Sequence, residues 1–82
     1  MTASDHELLQ AWQAGDRRAG ATLFERHFDA IARFFRGKLG DDVQDLVQRT
    51  FLDLVESRER VDATASVRAY LFGIARHRLI DH

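Results

Sequence analysis

The sequence has 82 residues and a formal net charge of −1 at pH 7, which indicates one domain and argues against a strongly basic, nonspecific DNA-binding protein. It contains no cysteine, so disulfides and thiolate metal sites are excluded. The N-terminus lacks a signal-peptide pattern and no apolar run approaches the roughly 20 residues that span a bilayer, so we expect a cytoplasmic protein without a membrane partner.

The first predicted helix covers residues 5–14. Ser4 and Glu7 have the spacing of a capping box at its start, and Gly15 suits the residue that follows its end. Trp12 falls on its apolar side, and we interpret it as a core anchor rather than a binding residue.

The second predicted helix covers residues 17–38, with Asp16 placed to cap it. We interpret His27, at the edge of the apolar stripe, as a packed or half-exposed side chain, because the four histidines have no metal-ligand spacing. The residues assigned to the apolar stripe are Gly20, Leu23, Phe24, His27, Phe28, Ile31, Phe34 and Phe35.

The third predicted helix, residues 42–57, is amphipathic, and Asp41 or Asp42 can cap its start. Its outward face has an apolar residue, Leu52, surrounded by polar groups. This face is either a solvated surface with one exposed leucine or a docking stripe, and periodicity alone favours the solvated surface. The inward residues are Val43, Leu46, Val47, Thr50, Phe51, Leu54 and Val55, and the outward residues are Asp45, Gln48, Arg49, Leu52 and Glu56.

Charge divides the second half of the chain into two parts. Residues 39–57 carry a net charge of −4, whereas residues 58–82 carry +2 and include five arginines. An acidic helix followed by an arginine-bearing one suggests two surfaces with different partners.

Residues 58–66 have no clear period and predict a loop, after which Thr64 or Ser66 caps a last helix over residues 66–82. Nothing in the chain has the alternation of a strand, so we predict an all-α fold, a compact bundle of about four helices within a single domain 1–82. No P-loop, dinucleotide fingerprint, zinc-protease motif or cysteine nucleophile is found. We therefore expect no enzyme activity, cofactor or metal.

Two motifs resemble a known family. Residues 45–51, DLVQRTF, resemble the D-L-V-Q-E-T-F segment of extracytoplasmic-function (ECF) group sigma factors. Residues 67–82, VRAYLFGIARHRLIDH, are similar to that group's F-R-A-W-L-x-x-I-A-R-N-x-x-I-D-H. The resemblance corresponds to region 2 of a sigma-70 family sigma factor. Because residues 1–82 include no region 4 helix-turn-helix, we expect either an excised domain or an unusual single-module protein.

This resemblance implies a domain that binds core RNA polymerase, through the β′ coiled coil, and melts the promoter −10 element by holding the non-template single strand. An anti-sigma factor is a further candidate partner. The alternative function is a helical interaction module that docks on polymerase or an anti-sigma factor without opening DNA. The polymerase-binding positions implied are Asp45, Gln48, Arg49 and Leu52, and the DNA-binding positions are Arg58, Arg60, Tyr70, Arg76, His77 and Arg78.

The chain differs from the two family motifs at four positions. Three of them are among the implied binding positions, and the fourth is Val67. Arg49 stands where glutamate is usual, which reverses a charge on the docking face. His77 stands where asparagine is usual, which affects the expected base preference. Tyr70 in place of tryptophan and Val67 in place of phenylalanine are milder changes.

Overall fold

The computed structural model describes residues 2–61 and 66–81. Within these residues the fold is all-α, as predicted, with four α-helices and no strand. The helices are α1 (Asp5–Gln13), α2 (Arg17–Leu39), α3 (Gln44–Ser57) and α4 (Val67–Asp81), and a short 3₁₀ helix, Arg58–Arg60, follows α3. Thr64 and His82, which the predicted last helix includes as a cap and as its end, lie outside the described residues.

Capping side chains fix where α1 begins. Ser4 Oγ accepts a hydrogen bond from the Glu7 backbone N–H at 3.1 Å, and Glu7 Oε1 accepts one from the Ser4 N–H at 3.0 Å. The predicted capping box is therefore confirmed. After the helix, Gly15 takes a φ of +109°, a left-handed conformation that glycine adopts without steric cost.

The predicted cap of α2 is also confirmed, whereas that of α3 is wrong. Asp16 Oδ1 accepts hydrogen bonds from the backbone N–H groups of Arg18 and Ala19. By contrast, α3 begins after Val43, which provides no capping side chain, and neither Asp41 nor Asp42 caps the helix. The Val43 N–H donates to the Asp41 carbonyl, and the Val43 side chain is buried, so burial of an apolar residue determines this start.

The core lies between α2, α3 and α4, with α1 packed mainly against α2. An aromatic row connects the first three helices: Trp12 meets Phe24 edge-on at 5.8 Å between ring centroids, and Phe24 meets Phe51 at 5.0 Å. Trp12 is buried, which confirms its interpretation as a core residue. The buried apolar residues are Leu9, Trp12, Ala19, Leu23, Ile31, Ala32, Phe35, Val43, Val47, Phe51, Leu54, Val61, Val67, Leu71 and Ala75.

Polar contacts between Asp5 of α1 and two side chains of α2 hold these two helices together. His27 is buried, and its Nε2 lies 2.7 Å from Asp5 Oδ2, while Arg26 Nη1 donates to Asp5 Oδ1 at 3.2 Å. His27 Nδ1 is buried, and none of the described residues provides a hydrogen-bond partner for it. Nε2 is thus the ring nitrogen that lies within hydrogen-bond distance of the Asp5 carboxylate.

The close approach of α1 to α2 requires glycine at position 20. A Cβ added to Gly20 lies 2.5 Å from Trp12 Nε1, whereas one added to Gly37 in the same helix meets no atom of the described residues within 4 Å. We predict that Gly20→Ala lowers the free energy of unfolding by about 1–3 kcal/mol, because the indole must shift in a packed core. The matched control Gly37→Ala should raise it by up to about 1 kcal/mol through helix propensity.

Urea denaturation of the two variants beside wild type measures both effects. Equal stabilisation by the two substitutions would contradict the predicted clash with Trp12.

Candidate functional site

The outward face of α3 carries the four residues predicted to bind polymerase. Asp45, Gln48 and Arg49 are exposed, and 51 % of the Leu52 surface is accessible. These side chains project from the face opposite to the buried residues Val47, Thr50, Phe51 and Leu54. The helix therefore presents one large apolar side chain within a polar surface.

An apolar groove of about 620 Å³ runs beside this face, between α2 and α3. Phe28, which the sequence assigned to the core stripe, is 50 % exposed instead, and its ring stacks on Phe51 at 6.1 Å. It remains exposed because α3 covers only one side of the ring. The residues that line this α2–α3 groove are Phe24, Phe28, Ala32, Arg36, Asp41, Val43, Gln44, Val47, Gln48, Phe51, Leu52 and Val55.

Two of the four predicted docking residues line this groove, opposite apolar side chains of α2. Gln48 and Leu52 line it, whereas Asp45 and Arg49 lie outside its lining on the same helix. Sequence reasoning missed the contribution of Phe28. The signal was present as an extra aromatic residue at the edge of the α2 stripe, but its exposure depends on the position of α3.

A second, more polar groove of about 570 Å³ lies between α3 and α4. It brings together three of the six predicted DNA-binding residues, Arg60, Tyr70 and His77, while Arg76 is exposed on α4 outside the lining. The residues that line this α3–α4 groove are Asp53, Glu56, Ser57, Arg60, Tyr70, Gly73, Ile74 and His77.

The other two predicted DNA-binding residues are bound to their own chain. Arg58 Nη1 donates to the Val55 carbonyl at 3.1 Å, and its guanidinium lies 5.8 Å from the centre of the Trp12 ring. Arg78 donates from Nε to Asp53 Oδ2 at 2.6 Å and from Nη2 to Oδ1 at 2.7 Å. Both arginines therefore stabilise helix packing in this conformation.

The ion pair between Asp53 and Arg78 changes the titration of both groups. Hydrogen bonds from Arg78 lower the pKa of the Asp53 carboxyl below its usual value, although partial burial acts in the opposite direction. The same hydrogen bonds raise the pKa of Arg78. Sequence reasoning missed Asp53, because 25 residues separate it from Arg78 and no local spacing relates them.

Two further features, a metal site and a membrane-spanning helix, are not found among the residues that the structure describes. Residues 2–61 and 66–81 contain no group of three or more histidine, aspartate or glutamate side chains arranged to hold a metal ion. No helix within them has the length and apolar character needed to cross a membrane.

Comparison with protein families identifies the class of this domain. The family model for sigma-70 region 2 matches residues 23–82, which include most of α2 and all of α3 and α4. The chain therefore belongs to the sigma-70 region 2 family, and its role is that of a sigma factor region 2 in RNA polymerase binding and promoter recognition. Comparisons with curated proteins and with solved structures found no match.

The lowered pKa of Asp53 predicts how acid affects this pair. A carboxylate with a depressed pKa in the folded state contributes stability above its unfolded value of about 3.9, and loses it as the pH falls through the folded value. Asp53→Asn should therefore be less stable than wild type at pH 7, with a difference that shrinks as the pH falls below about 3.9 and through the lowered pKa of Asp53. Urea denaturation from pH 7 to pH 2 measures this. A difference that stays constant down to pH 2 would contradict it.

Proposed function

We propose that this chain is the region 2 module of an ECF-group sigma factor, with a polymerase-binding surface on α3 and a single-strand DNA surface on α3 and α4. The observation that carries the proposal is the half-exposed Leu52 on a helix whose DLVQRTF segment resembles the family's D-L-V-Q-E-T-F motif. Residues 67–81 of the second motif, VRAYLFGIARHRLIDH, form α4.

The docking surface combines the outward face of α3 with the α2–α3 groove. An amphipathic helix binds such a groove by inserting apolar side chains spaced by one turn, and the apolar walls here are Phe28 and Leu52. The β′ coiled coil, implied by the resemblance, is a helical partner of this kind. Asp45 and Arg49 lie beyond the groove, where charges select the partner and its register rather than supply most of the affinity.

Arg49 makes this docking surface different from the family motif. Where the motif has glutamate, this chain presents a cation on the exposed face of α3. Like charges placed opposite one another oppose binding, so the partner surface facing Arg49 should carry an acidic or neutral group. An anti-sigma factor that masks this helix would meet the same requirement.

Replacement of Leu52 tests the docking proposal. Leu52→Asp should weaken binding to core polymerase, or to a β′ coiled-coil fragment, by at least about 2 kcal/mol, because it removes the central apolar contact. Ile80→Asp is the matched control, since Ile80 is also apolar and 80 % exposed but lies on α4. Titration calorimetry with far-UV circular dichroism measures binding and helicity together.

The docking proposal fails if Leu52→Asp binds as wild type does. It also fails if Ile80→Asp loses binding to the same extent, because the loss would then reflect exposed apolar surface in general.

The DNA-binding proposal rests on the chemistry of the α3–α4 groove. Tyr70 offers an aromatic face, and Arg60 offers a planar cation, both suited to stacking on unpaired bases. His77 is exposed at the same groove, and Arg76 adds positive charge on α4. An asparagine at the His77 position would present an adjacent hydrogen-bond donor and acceptor to a base. The ring nitrogens of histidine do not reproduce this adjacent pair.

We predict that the domain binds a single-stranded −10 oligonucleotide more tightly than the corresponding duplex, because a closed duplex hides the base faces that stack on Tyr70. Salt dependence should be shallow, since residues 58–82 carry a net charge of only +2. Fluorescence anisotropy at several salt concentrations measures both quantities. Equal affinity for random duplex and single strand would instead favour an interaction module that does not open DNA.

A further inference from the structure

A two-bond ion pair joins α3 to α4 beside the α3–α4 groove. Arg78 donates to both carboxylate oxygens of Asp53, at 2.6 and 2.7 Å. Asp53 lines the groove from α3, and His77, next to Arg78 in sequence, lines it from α4. The pair is therefore placed to control how the two walls of the groove face each other.

The geometry of this pair is more restrictive than that of an ordinary surface salt bridge. A planar guanidinium that donates two parallel hydrogen bonds fixes orientation as well as distance. Only 33 % of the Arg78 side chain and 26 % of the Asp53 side chain are exposed. The neighbouring contact from His77 to Asp81, at 3.2 Å, lies within α4 and ties this helix to no other element.

We propose that Arg78 is a positioning residue for the α3–α4 groove, and that its pairing with Asp53 sets the base preference of the domain. The pair holds the wall that carries Tyr70 and His77 at a fixed position relative to α3. This inference rests on the proposed DNA-binding function of the groove. It assigns Arg78 a role different from the direct DNA contact that the sequence suggested.

Direct contact and positioning lead to opposite expectations for Asp53. If Arg78 binds phosphate directly, Asp53→Asn frees the guanidinium and removes a negative charge near the DNA, so binding should strengthen. If Arg78 acts through the pair, Asp53→Asn should weaken binding as Arg78→Gln does. Loss of a phosphate contact also lowers the slope of log affinity against log salt by about 1, which a positioning role leaves unchanged.

The experiment compares the 82-residue chain with Asp53→Asn, Arg78→Gln and the double variant. The binding panel is a single-stranded −10 oligonucleotide with the base changed at each position, measured at three salt concentrations. Glu25→Gln is the matched control, because it removes one negative charge from an exposed position on α2 that lines neither groove. Circular dichroism and urea denaturation establish that each variant is folded.

Positioning predicts that each single variant loses at least about fivefold in affinity for the preferred strand, the lower limit for loss of one base contact. Both should show the same altered base preference and an unchanged salt slope, with the double variant no weaker than either single one. Glu25→Gln should bind as wild type does. Wild-type or tighter binding by Asp53→Asn, or a lower salt slope for Arg78→Gln alone, would overturn the proposal.

A measurement without DNA separates this inference from the proposed function. Hydrogen exchange of the α4 amides should accelerate in Asp53→Asn and Arg78→Gln, while exchange in α1 and α2 stays as in wild type. Unchanged exchange in α4 rejects the positioning role whether or not DNA binds. Accelerated exchange in a chain whose wild type binds no single strand rejects the DNA-binding function and reduces the pair to a structural contact.

Discussion

Burial of one face of α3 is the constraint on which the rest of this structure depends. Val47, Thr50 and Leu54 are fully or nearly fully covered by the surrounding helices, and Phe51 continues the aromatic row from Trp12. A chain this short has only one core, so α3 must contribute a complete apolar face to it. The opposite face is then free of packing requirements and remains available to a partner.

The same helix also connects the two proposed surfaces. Its outward residues reach the α2–α3 groove, and Asp53, one position after Leu52, reaches α4 through Arg78. Because one rigid helix contributes residues to both surfaces, it sets the distance and orientation between them. A sigma factor region 2 binds polymerase and recognises promoter DNA. If the two surfaces lie where we propose, α3 gives these two tasks a fixed geometric relation.

Much of the fold follows from local sequence rules, but several features of the site depend on contacts between distant residues. Helical periodicity gave the four helices, and the Ser4–Glu7 and Asp16 caps were predictable because capping is a local hydrogen-bond pattern. The start of α3 was missed because burial of Val43, rather than a capping carboxylate, determines it. Likewise, the exposure of Phe28 depends on where α3 lies, which periodicity in α2 does not specify.

We infer that α3 presents a docking surface on its outer side while it holds the DNA-facing surface of α4 in place. An NMR titration tests it most directly, with the labelled chain receiving first a β′ coiled-coil fragment and then a single-stranded −10 oligonucleotide. We expect chemical-shift changes first around Gln48, Leu52 and Phe28, and then around Tyr70 and His77 with the first set retained. Fragment-induced shifts centred on α1, or loss of the first set when DNA is added, would contradict it.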